Sequence, residues 1–138
     1  MMTGPSPFRE RDLKVRFVYT GIRVRNMQES VDFYTKVLGM KVTGSSEIPA
    51  ANGQVVNLES EGGGAQLELN YYHSGSRYST PYSAGEELDH LAFEVEEIDS
   101  FLERAEKAGY PVVAEIKTEK SRWVYIQDPN GIWIEIVK

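Results

Sequence analysis

One order of elements runs through this chain twice, and a repeat of that length commits it to paired supersecondary units. Residues 15–24 (VRFVYTGIRV) alternate in character. Val18, Thr20, Ile22 and Val24 fall on one face, Phe17, Tyr19, Gly21 and Arg23 on the other, which predicts a half-buried strand. A helix follows, with Asn26 as its N-cap and Glu29 three residues on. Val31, Tyr34 and Leu38, with Phe33 and Val37, form its apolar stripe, and Gly39 ends it. Three strands are expected next, over 40–47, 54–60 and 65–72, separated by Asn52-Gly53 and the Gly62-Gly63-Gly64 run.

The same order returns. Residues 88–95 read as a strand with Leu91, Phe93 and Val95 on one face and His90, Ala92 and Glu94 on the other. A helix over 98–108 turns Ile98, Phe101, Leu102 and Ala105 to its apolar side and closes at Gly109. Strands over 111–116, 122–127 and 132–137 follow, the last two joined by Asp128-Pro129-Asn130-Gly131. Superimposing the halves sets Tyr19 on His90, Gly39 on Gly109 and Leu67-Glu68-Leu69 on Ile134-Glu135-Ile136. From Tyr19 to Glu68 is 49 residues (68 minus 19), and from His90 to Glu135 is 45 (135 minus 90). The expected fold is α+β: two βαβββ modules, about 15–72 and 87–138, joined by a segment over 73–86. One helix covers only one face of a four-stranded sheet. The curved mixed sheets are therefore expected to form a cup, with the helices outside it.

Strand alternation assigns side chains to the uncovered faces. The first module supplies Tyr19, Gly21, Arg23, Gln66, Glu68 and Asn70; the second supplies His90, Ala92, Glu94, Trp133, Glu135, Trp123 and Tyr125. Aromatics around a few converging polar groups suit a small-molecule pocket. Glu68 and Glu135 each sit mid-strand between aliphatic neighbours, where a carboxylate needs a cation or a proton if it is buried. With His90 they make one imidazole and two carboxylates, a set able to hold a divalent metal. The competing reading is structural: Arg23 neutralises one glutamate and His90 is a hydrogen-bonded cup residue.

Composition removes several classes. The net charge of -6, from 21 acidic and 15 basic side chains, argues against a nucleic-acid or anionic-membrane partner. Without cysteine there is no disulfide, thiolate metal site or cysteine nucleophile. No apolar run reaches the ~18 residues of a membrane span. The start, MMTGPSPFRERD, has no signal-peptide core, so a soluble cytoplasmic protein is expected.

These residues carry a resemblance. TGIRVRNMQESVDFYTKVLGMKV, AQLELN, LDHLAFEV and DPNGIWIEIV resemble the strand–helix and ligand-bearing strands of glyoxalase I. Together they are similar to the glyoxalase/bleomycin-resistance/extradiol-dioxygenase (vicinal oxygen chelate, VOC) superfamily from about Phe17 to the C-terminus. The resemblance implies that fold and a divalent metal (Ni²⁺, Mn²⁺, Fe²⁺, Mg²⁺ or Zn²⁺) held by Glu68, His90 and Glu135. Tyr19 departs from the pattern, which has His or Gln there, and a neutral phenol is a weak ligand. Tyr19 coordinating, Tyr19 bonding a metal-bound water, and a site without metal all stay open.

The implied activity is a glyoxalase I-like lyase or isomerase, comparable to lactoylglutathione lyase. In it the metal chelates a substrate with vicinal oxygens, and Glu68 or Glu135 moves a carbon-bound proton. Arg23 stands where glyoxalase I has an arginine for the glutathione carboxylate. Asn70 and Tyr72 lie nearby, but Tyr71-Tyr72-His73 replaces an Asn-containing stretch, so the thiol is not assigned. A methylmalonyl-CoA epimerase-like racemase is the rival enzyme. A bleomycin-resistance-like binding protein is the rival outside catalysis, with Trp123, Tyr125 and Trp133 stacking on a flat ligand. Tyr19 removes a histidine that extradiol cleavage or fosfomycin thiol transfer would use. The tyrosine-rich stretch over 71–85 reads as a lid over the cup, and Glu119, Lys120 and Arg122 as solvated charges at its mouth. Sheet faces left to bury lead us to expect an isologous homodimer.

Overall fold

The repeat appears in space as two four-stranded sheets of identical topology. The computed structural model describes residues 19–79, 81–85, 88, 90–120 and 122–138. The first module runs β1 (Thr20–Arg23), α1 (Met27–Asp32), β2 (Lys41–Ile48), β3 (Gly53–Glu59) and β4 (Gln66–Tyr72). The second runs β5 (His90–Glu94), α2 (Ile98–Lys107), β6 (Ala114–Lys117), β7 (Arg122–Gln127) and β8 (Trp133–Val137). Strand orders are β1-β4-β3-β2 and β5-β8-β7-β6, each with a parallel pair at one edge and antiparallel neighbours beyond. The expected start of the first strand, with Phe17 and Val18, lies outside the described residues.

The local signals act as their chemistry requires. Asn26 Oδ1 accepts the Glu29 N–H at 2.9 Å and satisfies a donor that the first turn of α1 leaves unpaired. Gly39 and Gly109 take φ of +72° and +98°, the left-handed conformation in which glycine ends a helix without a Cβ clash. After Asp32, α1 widens into a π turn over Phe33–Val37. The sequence shows no sign of that turn. Both Phe33 and Tyr34 are buried there, because this end of α1 is flanked by the second module. Phe33 packs edge-on to Tyr110 at 4.6 Å, and Tyr34 lies 6.4 Å from Phe93.

The core is continuous across the modules. Ile22, Leu58 and Leu69 from the first sheet join Ile126, Ile134 and Ile136 from the second around Phe33, Tyr34 and Phe101. These side chains lie on the helix-covered faces, as alternation requires, and each contributes about 1.5–3 kcal/mol by leaving water. The opposite faces, where the candidate ligands stand, are not covered by helices.

Two assignments change. The 128–131 turn, read from the sequence only as a link between β7 and β8, is a buried polar joint. Asp128, Asn130 and Ser30 are all buried. Tyr34 Oη donates to Asp128 Oδ2 at 2.9 Å, and Asn130 Nδ2 donates to Ser30 Oγ at 3.2 Å. Asn130 Oδ1 accepts the Arg25 N–H at 3.0 Å. The Asp128 carboxylate also takes the N–H groups of Asn130 and Ile132 at 2.8 Å each. α1 of one module is thereby fastened to the closing turn of the other. Burial, and then the negative charge of Asp128, push the Tyr34 phenol well above its ordinary range.

Arg122 is the second: it stays at the surface but is ion-paired rather than a lone solvated charge. Its guanidinium donates to Glu115 Oε2 at 2.7 Å and Asp99 Oδ1 at 2.8 Å, tying the start of α2 to β6 and β7. Among the described residues no helix is long and apolar enough to cross a membrane.

Candidate active site

The ladder registers place the candidate ligands in matched positions. In the first sheet Glu68 pairs with Gly21, two residues after Tyr19. In the second Glu135 pairs with Ala92, two residues after His90. Each glutamate therefore faces a minimal side chain across a parallel ladder, with the second candidate ligand one step along the same face. The small residues leave room: a Cβ built on Gly21 would lie 3.9 Å from Glu68 Oε1 and 4.0 Å from Tyr19 Cε2.

Within one chain these positions form two half-sites. The first is a cavity of about 600 Å³ lined by Tyr19, Gly21, Arg23, Glu68, Asn70, Tyr72 and residues of the following connection. Asn70 Nδ2 donates to the Ile22 carbonyl at 3.3 Å. The connection closes over this half. Arg23 Nη1 donates to the Tyr78 carbonyl at 2.9 Å, and Tyr82 Oη donates to the Arg23 carbonyl at 3.3 Å. The Tyr82 ring lies beneath the guanidinium groups of Arg23 and Arg25, at 5.1 and 4.6 Å. Ser76 Oγ donates to the Ala51 carbonyl at 2.6 Å. The sequence suggested a lid, and this segment packs against the first half-site through its backbone and rings.

The second half-site is aromatic. His90 Nε2 lies 3.7 Å from Glu135 Oε1, whose side chain is largely sheltered. Tyr125 stands directly across the antiparallel ladder from Glu135. Its ring is edge-on to His90 at 6.1 Å and 5.3 Å from Trp133. His90, Tyr125, Trp133, Ile116 and Gly85 line a cavity of about 490 Å³. Trp123 shares this face opposite Ile116, further from the glutamate. Trp123 and Trp133 remain 38% and 37% exposed, so this face is not closed by the chain's own described residues.

The structure brings Tyr19 to Glu68 and His90 to Glu135, but does not bring the two pairs into one cavity. Among the described residues no group of three or more His, Asp or Glu is close enough to hold a metal. A further cavity of about 750 Å³ lies between β4 and β5 and carries His90 on its wall without Glu68 or Glu135. One residue on the face of Glu68 was missed from the sequence, although it lines neither half-site cavity. Asn57 pairs directly with Glu68 across β3 and β4, and so shares its face. Alternation with the buried Val56 and Leu58 would have revealed it, but the Val55-Val56 doublet blurred the phase.

The fold, the repeated ladder position and the half-sites define a class. A family model described as the Glyoxalase/Bleomycin resistance protein/Dioxygenase superfamily matches residues 16–136, and the chain belongs to that superfamily. It is similar to the lactoylglutathione lyase of Escherichia coli O157:H7, 31% identical over 129 residues and covering 90% of this chain and 93% of the relative. The lactoylglutathione lyase of Neisseria meningitidis serogroup A is 30% identical over 129 residues, covering 90% of this chain and 91% of the relative. Among solved structures, the trypanothione-dependent glyoxalase I of Leishmania major superposes with a TM-score of 0.70 at 28% identity, over 91% of this chain and 87% of that one.

Proposed function

We propose that the chain is a metal-dependent, glyoxalase-like lyase that isomerises the hemithioacetal of a 2-oxoaldehyde and a thiol. The observation that carries this is the matched register. Each half presents a glutamate opposite a tiny residue, with a second donor two positions along the neighbouring strand. Relatives named lactoylglutathione lyase at 30–31% identity support it.

The donor set suits a divalent ion, with Glu68, His90 and Glu135 as ligands and Tyr19 at the fourth position. When bound, such an ion supplies Lewis-acid polarisation of adjacent substrate oxygens. One glutamate takes the proton from the thiol-bearing carbon and returns it to the neighbouring carbonyl carbon. The C–S bond persists; the first carbon becomes a thioester carbonyl and the second a hydroxyl-bearing carbon, so no outside oxidant is required. Arg23, Asn70 and Tyr72 hold the thiol-bearing portion, and Trp123, Tyr125 and Trp133 flank the other and keep water from it. Because the half-sites lie in separate cavities, we further propose that each is completed by the other half of a second copy, in a cytoplasmic isologous dimer.

A second reading is sequestration of a flat ligand without catalysis, favoured by the exposed Trp123, Ile116 and Trp133 on one sheet face. Metal content of the purified chain, with and without Glu135→Ala, separates the two. Stoichiometric metal that falls with the substitution, together with hemithioacetal isomerisation, is the expected result. No metal under replete conditions would reject the lyase and leave sequestration. Metal with methylmalonyl-CoA epimerisation in its place would make the chain the racemase.

A further inference from the structure

We propose that Asn52 is a site of spontaneous deamidation, and that its conversion to isoaspartate loosens the connection packed over the Glu68 cavity.

Two asparagines of the chain precede glycine, in Asn52-Gly53 and Asn130-Gly131. Such pairs are labile, because glycine has no side chain to keep its backbone nitrogen away from the neighbouring carboxamide. That nitrogen attacks the asparagine Cγ and loses its proton. The carboxamide nitrogen leaves as ammonia, and a cyclic succinimide closes. Water then opens the ring at either carbonyl, giving aspartate or isoaspartate, with no oxidant required.

The fold treats the two pairs oppositely. Asn130 is 1% exposed. Its Nδ2 donates to Ser30 Oγ and Asp128 Oδ2, its Oδ1 accepts the Arg25 N–H, and the Gly131 N–H is held by the Asp128 carbonyl at 3.0 Å. Freeing that carboxamide means parting α1 from the closing turn of the second module, an opening close to global unfolding. Asn52 stands instead at the exposed tip of the β2–β3 hairpin, its carboxamide without a hydrogen-bond partner among the described residues. It is also the only non-glycine residue among them with positive φ, at φ +50° and ψ +52°, a sparsely populated conformation. Besides the first rung of the ladder at Gly53, two main-chain bonds hold the tip: Asn52 N–H to the Pro49 carbonyl at 3.1 Å and His73 N–H to the Asn52 carbonyl at 2.9 Å. Opening this end of the hairpin is local, and it lets the Gly53 nitrogen swing to Cγ.

Conversion matters because of what the tip touches. On one side of Asn52, the Ala51 carbonyl accepts Ser76 Oγ of the connection at 2.6 Å. On the other, Gly53 lies so close beneath Tyr72 that a Cβ on it would sit 2.6 Å from Tyr72 Cδ1. Tyr72 lines the Glu68 cavity, and its ring is 5.6 Å from that of Tyr78 on the connection. Isoaspartate routes the main chain through the former side chain and so inserts a methylene between these two anchors. The carbonyl that accepted the His73 N–H becomes a pendant carboxylate. The contacts of Ala51 and Gly53 then cannot both persist, and the connection is released at Ser76.

The test ages the full chain in heavy-oxygen water at pH 8.5, folded and in urea, and reads the label at each position by peptide mass spectrometry. Isoaspartate is counted with an isoaspartyl methyltransferase. In the folded chain, position 52 should take up label at least about tenfold faster than position 130, and in urea the two rates should agree within about twofold. Limited tryptic cleavage after Arg77 should quicken at least about threefold in the aged chain. It should stay unchanged in Asn52→Gly aged alongside, a variant that keeps the left-handed turn but has no carboxamide to lose. Label at position 52 of the folded chain no faster than at position 130 overturns the site. Isoaspartate that forms while cleavage after Arg77 stays as in fresh protein overturns its link to the connection. Neither readout involves turnover, so the result is independent of the lyase reading.

Discussion

Replacing Tyr34 by Phe removes a single oxygen from the joint between α1 and the 128–131 turn, and the structure sets the size of the effect. Tyr34 and Asp128 are buried, and the lost bond is 2.9 Å long. The ring keeps its contacts with Phe33 and Phe93, so no cavity larger than a hydroxyl opens. A hydrogen bond to a charged partner contributes about 1.5–3 kcal/mol. Asp128 retains the Asn130 and Ile132 N–H groups and the Asn130 Nδ2, which holds the cost near the lower part of that range, about 2 kcal/mol. With about 2.1 cal/mol/K of unfolding entropy per residue over 138 residues, the melting temperature should fall by ~7 °C.

The pH dependence gives an independent check. Burial and Asp128 raise the folded-state pKa of Tyr34 above its unfolded value. Below the unfolded pKa, near 10, its contribution is fully present; above that pH the unfolded chain ionises first, and stability is lost as pH rises through the folded pKa. Scanning calorimetry at pH 7.5 and through the alkaline range should show a steeper alkaline decline in wild type than in Tyr34→Phe. A shift below about 2 °C with parallel alkaline profiles would refute the account of this joint.

Other outcomes follow from the same geometry. Tyr19→His should raise the affinity for Ni²⁺ or Zn²⁺ by about tenfold in calorimetric titration, since an imidazole replaces a phenol; unchanged affinity would remove that position from the metal site. Gly21→Ala places a methyl 3.3 Å from Asn70 Nδ2, whose hydrogen bonds of 3.3 and 3.4 Å are long enough to yield. Its melting temperature should hold or rise slightly, because an unfolded chain with alanine has about 0.4–1 kcal/mol less entropy to lose, while ligand binding over Glu68 weakens. A clear fall in melting temperature would show the Asn70 amide to be rigid. Arg122→Ala should lower the melting temperature by about 2 °C in low salt and by less in 1 M salt, as its partners lie on the surface.

Much of the architecture was legible because it is local. Period-two alternation assigned Glu68, Asn70, His90 and Glu135 to uncovered faces, and the ladder registers agree with that assignment. Asn26, Gly39 and Gly109 marked helix ends through chemistry that needs no distant partner. Strand ends moved by a few residues where the ladder, not the pattern, decides pairing: the strand expected over 111–116 forms as Ala114–Lys117.

Other features depend on chain segments far apart. The Tyr34–Asp128 bond spans 94 positions and the Asn130–Ser30 bond spans 100, so nothing near Asp128-Pro129-Asn130-Gly131 distinguishes a buried joint from an ordinary surface turn. Arg122 reads as a surface charge until Asp99, 23 residues away, is brought to it. The sequence alone determined two repeated modules and the face each candidate ligand would occupy, since side-chain alternation follows from backbone geometry. Only the tertiary structure decided that Tyr19–Glu68 and His90–Glu135 stand in separate cavities. That separation depends on how the modules pack through Phe33, Tyr34 and the 128–131 turn, and such packing belongs to contacts between segments rather than to either segment's own pattern.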